Sequence, residues 1–215
     1  MSKTRHTGNW LHPGVAGLTL LPVFIVAVGS PSWSVDPKPT PQPASKQVKP
    51  TPPDSWEARI RELGWELPEP ATSLAIYKRV VVADRTVYVA GHIPVTADGK
   101  IITGKLGDDM DVAEAQAAAR RCAFAVLASL RHELGSLDAI ERLVKTTGMV
   151  NATSDFTEHP EVVNGFSEVF VELMGEDWGQ GARAAVGMAS LPRGAACEIE
   201  AVFLLKEKRD DAKMD

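Results

Sequence analysis

Apolar positions recur at helical spacing in three stretches of the chain, and each is bounded by residues that start or stop helices. Trp56 to Leu63 (WEARIREL) has this spacing and runs into Gly64, a residue suited to a helix C-cap. Asp111 and Glu114 have the spacing of a capping box, and residues 112 to 134 continue without Pro or Gly up to Gly135, which predicts the longest helix. Along it Ala115, Ala118, Ala119, Cys122, Val126, Ser129 and Leu130 form a narrow stripe of mostly small residues, suited to lying close against a sheet. Pro160 fits a helix's first turn, and Val162, Val163, Phe166, Val169, Phe170 and Leu173 follow at helical spacing up to Gly175.

Between the helical stretches lie β-rich runs. Ala75 to Val82 and Thr86 to Ala90, separated by Ala83-Asp84-Arg85, predict an antiparallel hairpin that ends at Gly91-His92-Ile93-Pro94. Its outer face, free of helices, is expected to carry Val80, Val82, Val87 and Val89 in part. Asp98-Gly99 signals a turn, and the Gly- and Asp-rich run that follows predicts a loop. Arg142 to Val150, Ala182 to Ala189 and Cys197 to Lys206 complete the strands, the last two joined across Leu-Pro-Arg-Gly. This order predicts a small α+β domain with two helices on one sheet face. The uncovered face then needs a neighbouring subunit to bury it, and three-fold symmetry would close such an assembly.

Composition restricts this domain to the later part of the 215 residues. Ten of the 15 prolines fall within residues 1–53. Lys3, Arg5 and His6 precede an uncharged apolar stretch, Gly14 to Val28, and small and polar residues follow, which is the order of an export signal. The stretch is shorter than the roughly 20 apolar residues that cross a bilayer and contains Pro22, so cleavage is favoured over retention as an N-terminal anchor. Residues 1–35 are thus expected to be a signal peptide or anchor, which directs the protein to the periplasm or outside the cell, and residues 36–53 a Pro-rich spacer. The folded domain is expected over 54–208 and a disordered tail over 209–215.

Residues 54–215 contain 18 Lys/Arg against 27 Asp/Glu, a net charge of −9 that disfavours nucleic acid as a partner. Cys122 and Cys197 sit apart in apolar segments with no ligand spacing around them, and read as small buried hydrophobes, with a single disulfide as the alternative. Phosphate-loop, dinucleotide, zinc-protease, nucleophile-elbow and calcium-loop patterns are missing, so no metal or cofactor is expected. His92, at a strand end, reads as a surface or turn residue. Arg183 is different, because a guanidinium entering a strand of small apolar residues needs an anion or another acceptor. Glu198 and Glu200 lie two apart on one strand face, and either could be its partner. The spacing leaves a ligand site and a structural ion pair equally open.

Four blocks resemble one family. Tyr77 lies fourteen residues before Gly91 in a run to VYVAGHIP, VKTTGMV spans 144–150, VVNGFSEVF spans 162–170, and GARAAVGMASLPRGAACEIEAV spans 181–202. Together they resemble the RidA (YjgF-like) imine and enamine deaminases over Trp65 to Leu205, in a divergent branch. The resemblance implies a chorismate-mutase-like fold, with a mixed, largely antiparallel sheet, and a homotrimer with ligand clefts between subunits. It implies that Arg183 grips a substrate carboxylate, that Glu198 positions the attacking water, and that Tyr77, Gly91 and Asn164 shape the cleft. The activity it implies is a 2-iminobutanoate/2-iminopropanoate-type deaminase, which hydrolyses 2-imino or 2-enamino acids to 2-oxo acids with release of ammonia. The alternative is a non-catalytic module that holds a small carboxylate or 2-oxo acid in the same clefts. Such a hydrolysis needs orientation, water and a proton relay, with no covalent nucleophile or cofactor. Three positions depart from the family pattern: Ala185 replaces Cys, Ala90 replaces Ser and His92 replaces Gln.

Overall fold

In a computed structural model of the chain, residues 55–70 and 75–207 are described. The expected export segment, spacer and charged tail lie outside these residues. Ser55 caps the first helix, α1 (Trp56–Glu62), by accepting from the Ala58 N–H, and the wholly buried Trp56 donates its indole N–H to the Ile140 carbonyl at 2.8 Å. Gly64 follows with φ of +66°, the conformation expected of a helix stop. The long helix α2 (Val112–Leu134) starts at the full Asp111/Glu114 capping box and ends at Gly135 in the left-handed region. The whole predicted stripe from Ala115 to Leu130 is buried. Pro160 occupies the first turn of α3 (His159–Met174), and a single turn, α4 (Glu176–Gly179), follows. The sequence pattern did not signal α4, because four residues carry no periodicity.

Five strands form one sheet: β1 (Val80–Ala83), β2 (Thr86–His92), β3 (Ile140–Asn151), β4 (Ala182–Met188) and β5 (Cys197–Leu205). The spatial order is β1-β2-β5-β3-β4, antiparallel throughout except for the parallel β3/β4 pair, so the sheet is mixed and largely antiparallel as expected. A parallel pair needs a crossover, and α3 with α4 supplies it. Helices α2 and α3 cover one sheet face. They meet closely at Gly165, where a Cβ would stand 2.8 Å from the carbonyl carbon of Gln116.

Two expectations about the hairpin need correction. Its first strand begins at Val80 rather than Ala75, with a bend over residues 75–77 leading in. The strand pair also turns the other way. Val80, Val87 and Val89 point to the helices and are buried in the core, whereas Val81 and Tyr88 are 45% and 52% exposed on the open face. Val82 shares the helix side but is half-exposed, because β1 is the sheet edge. The reason is the register: Ala83 pairs with Thr86 around Asp84, whose φ of +53° makes a two-residue turn, and this fixes the parity of both strands.

Candidate functional site

Arg183 lies on β4 opposite Thr146 of β3, which in turn pairs with Ala201 of β5. Thr146 and Ala201 are buried beneath the helices, so the whole row, Arg183 included, faces the helix layer. There the guanidinium crosses the start of α3. Its Nη1 donates to Asn164 Oδ1 at 2.8 Å and Ser167 Oγ at 3.1 Å, and Nη2 reaches the Pro160 carbonyl at 3.4 Å. Among the described residues these bonds leave Nε and a hydrogen on Nη2 as donors. Beside them opens a cavity of about 640 Å³ whose wall includes Arg183, Asn164, Ser167 and Thr146.

Neither Glu198 nor Glu200 is the partner of Arg183. Strand β3 separates β4 from β5, and the register sets Glu198 against Met149 and Glu200 against Thr147, one residue out of step with the Thr146 row. Both carboxylates therefore stand on the open face, opposite to Arg183. The ion-pair alternative from the sequence is overturned: among the described residues no salt bridge joins Arg183 to a carboxylate.

Glu198 has company of its own. Between Val89, paired with Ala201, and His92, paired with Ile199, strand β2 holds two residues against one on β5, a bulge at Ala90-Gly91. The Glu198 side chain lies against this bulge so closely that a Cβ at Gly91 would sit 2.9 Å from its Cγ. Glycine leaves the room that the side chain fills. Burial, and then the nearby charge of Glu200, raise the Glu198 pKa above the usual carboxylate value.

His92 is not the surface or turn residue that its strand-end position predicted. It is 2% exposed, directed under the helix layer, with Nδ1 bonded to the Ala90 carbonyl at 2.7 Å and Nε2 to the Ser129 hydroxyl at 2.9 Å. A carbonyl only accepts, so Nδ1 carries the hydrogen and Nε2 accepts from Ser129. Burial first, with the Arg79 charge a smaller contributor, lowers its pKa from 6.5 to about 4, although the Ala90 bond opposes this. A neutral imidazole thus fastens the bulge beneath Gly91.

The predicted residues accordingly fall into two pairs and one outlier. Arg183 and Asn164 are joined on the helix face, and Glu198 and Gly91 on the open face. Tyr77, half-exposed, sits in the bend before β1, the edge strand farthest from β4. Four strand spacings of ~4.8 Å put about 19 Å between those edges. Ser167 was missed by the sequence reading, although its position three residues after Asn164 places both on one face of α3.

Known proteins share this arrangement of elements. The chain is 40% identical over 148 residues to Protein TCP17 of Trypanosoma cruzi, covering 69% of this chain and 92% of that protein. It is 30% identical over 135 residues to the RutC family protein UK114 of Drosophila melanogaster, covering 62% and 83%. Among solved structures, Atu1372 of Agrobacterium tumefaciens, a protein of unknown function, superposes with a TM-score of 0.63 at 41% identity, covering 71% of this chain and 95% of that one. A "putative endoribonuclease" of Shewanella oneidensis superposes with a TM-score of 0.66 at 27% identity, covering 70% and 99%. Residues 57–207 match the family described as "YjgF/chorismate mutase-like, putative endoribonuclease", and with its sheet order and signature blocks in place the chain belongs to that family.

Proposed function

We propose that the protein hydrolyses 2-imino or 2-enamino acids to 2-oxo acids and ammonia, in clefts completed between subunits of a homotrimer. The observation that carries this reading is the sidedness of the sheet. Arg183 with Asn164 and Glu198 with Gly91 stand on opposite faces, and Tyr77 lies at the far edge, so one chain cannot bring all of them to one ligand. Packing the open face of one copy against the β4 edge of the next would unite them. The exposed apolar residues Val81, Tyr88 and Val186 on that face support such packing.

The chemistry needs little more than these groups. A 2-imino acid offers a carboxylate to the Arg183 fork formed by Nε and Nη2. Water adds to the imine carbon as Glu198, in its carboxylate form, accepts a proton. Glu198 passes that proton to the imine nitrogen, giving a carbinolamine. It then takes the hydroxyl proton and delivers it to the same nitrogen, so that ammonia leaves as the C=O bond forms and imine and water become 2-oxo acid and ammonia with no external electron source. A carboxyl whose pKa is raised by burial suits both halves of this relay. RNA cleavage is disfavoured by the domain's excess of acidic residues, 27 against 18 basic ones over 54–215.

The test is ammonia release from freshly generated 2-aminoacrylate, above its spontaneous rate. R183K should weaken binding of small 2-oxo acids by roughly 1.5–3 kcal/mol, and E198Q should slow turnover by roughly 100-fold with little change in that binding. Co-refolding the two impaired variants should restore part of the activity, because a mixed assembly holds clefts with one intact arginine and one intact glutamate. Absent complementation would reject a shared cleft. Tight 2-oxo acid binding without ammonia release would make the protein a carboxylate-binding module instead.

A further inference from the structure

Cys122 on α2 and Cys197, the first residue of β5, are both wholly buried as free thiols, with their sulfur atoms 3.8 Å apart. They are the only two cysteines of the chain, 75 positions apart, and each is the other's hydrogen-bond partner. A disulfide needs the sulfur atoms at about 2.05 Å, so each must move by less than about 1 Å, within the reach of a side-chain rotation. The surroundings permit it. Ala118, Ala119 and Ala123 on α2 and Ala196 beside Cys197 are all buried and small, so nothing bulky from these neighbours separates helix and strand.

We propose that Cys122 and Cys197 form an intrachain disulfide that staples α2 to β5 when the chain folds under oxidising conditions. The order of residues 1–35, basic then apolar then small, reads as an export signal, and an exported chain would fold under such conditions. The pairing itself rests on the geometry and needs neither the proposed catalytic activity nor the trimer. The oxidant is a protein or small-molecule disulfide. One cysteine thiolate attacks it and displaces a thiolate, leaving a mixed disulfide; the second cysteine then attacks the protein's own sulfur of that bond. Two protein thiols thereby lose two electrons and two protons, and the oxidant is reduced to a dithiol if it is a protein disulfide or to two thiols if it is a small-molecule one. Burial raises the Cys122 thiol well above its usual pKa, so this exchange belongs to the stage before α2 closes on β5. Afterwards the bond is sealed from solvent and from small reductants.

The experiment is to refold the full chain from denaturant in a glutathione redox buffer, quench it with acid, and alkylate it under denaturing conditions. The expected product carries no alkyl group, has a mass two hydrogens below the reduced chain, runs as a single chain without reductant, and yields a peptide pair joining Cys122 to Cys197. Reduction under denaturing conditions followed by refolding in reductant should lower Tm by roughly 5–12 °C. C122A/C197A should show no such redox-dependent difference, and each single variant should leave one alkylatable thiol. Incorporation of two alkyl groups into the oxidatively refolded chain, or a cross-link between chains, would overturn the pairing.

Discussion

His92 illustrates how one substituted side chain can tie local structure to solution behaviour. Its imidazole is neutral in the fold and spans the Ala90 carbonyl and the Ser129 hydroxyl. The unfolded chain takes up the proton near the ordinary pKa of 6.5, while the folded chain resists until about 4. Between those values the unfolded state binds more protons, so stability falls as pH falls. His92 contributes its full share above pH 6.5 and loses about 3 kcal/mol of it by pH 4. H92Q places the family's residue at this position and should remove that part of the slope. Urea midpoints of both proteins at intervals from pH 7 to 4 would show it, and parallel curves would argue against the assignment. Glutamine also bears on whether the bulge under Gly91 survives without an imidazole, which a structure of the variant would answer.

At the level of elements, α2 and α3 come close together. At Gly165 an added methyl would meet the backbone of Gln116, which cannot swing aside as a side chain can. G165A is therefore expected to cost about 1–3 kcal/mol by overpacking, despite alanine's better helix propensity. A melting curve unchanged or raised would mean that the helices can separate cheaply. The helices themselves were legible in the sequence, because caps and periodicity are local: Asp111 and Glu114 start α2, Gly135 stops it, and Pro160 opens α3. The strand faces were not. In a run such as Val80-Val81-Val82 alternation is silent, and only the turn at Asp84 sets which valines enter the core. The Arg183–Glu198 pairing failed for a similar reason, since no local signal says that β3 will insert itself between their strands. The bulge at Ala90-Gly91 and the burial of His92 likewise depend on a partner strand more than a hundred residues away.

For the molecule as a whole, the proposed trimer would be built on the uncovered face. Tyr88 and Val186 project from it on β2 and β4 and take no part in the core. Y88K and V186D should each leave the fold of the single chain intact while weakening association. Light scattering is expected to give a trimer for the parent protein and smaller species for both variants, with circular dichroism unchanged. A parent protein that stays monomeric at micromolar concentration would remove the basis for clefts between subunits.

The position of β5 has a consequence for synthesis. It is the middle of the sheet, flanked by β2 and β3, yet among the described residues it follows every other strand and helix. A nascent chain emerging from the ribosome can form the β1/β2 hairpin and can dock β4 beside β3, but these remain two separate half-sheets. They are hydrogen-bonded into one sheet only when residues 197–205 arrive and pair with both sides at once. Closure of the sheet thus waits for β5, and a premature stop codon just before Cys197 would release a chain with bare strand edges on β2 and β3, suited to capture by chaperones and proteases rather than to a smaller working domain.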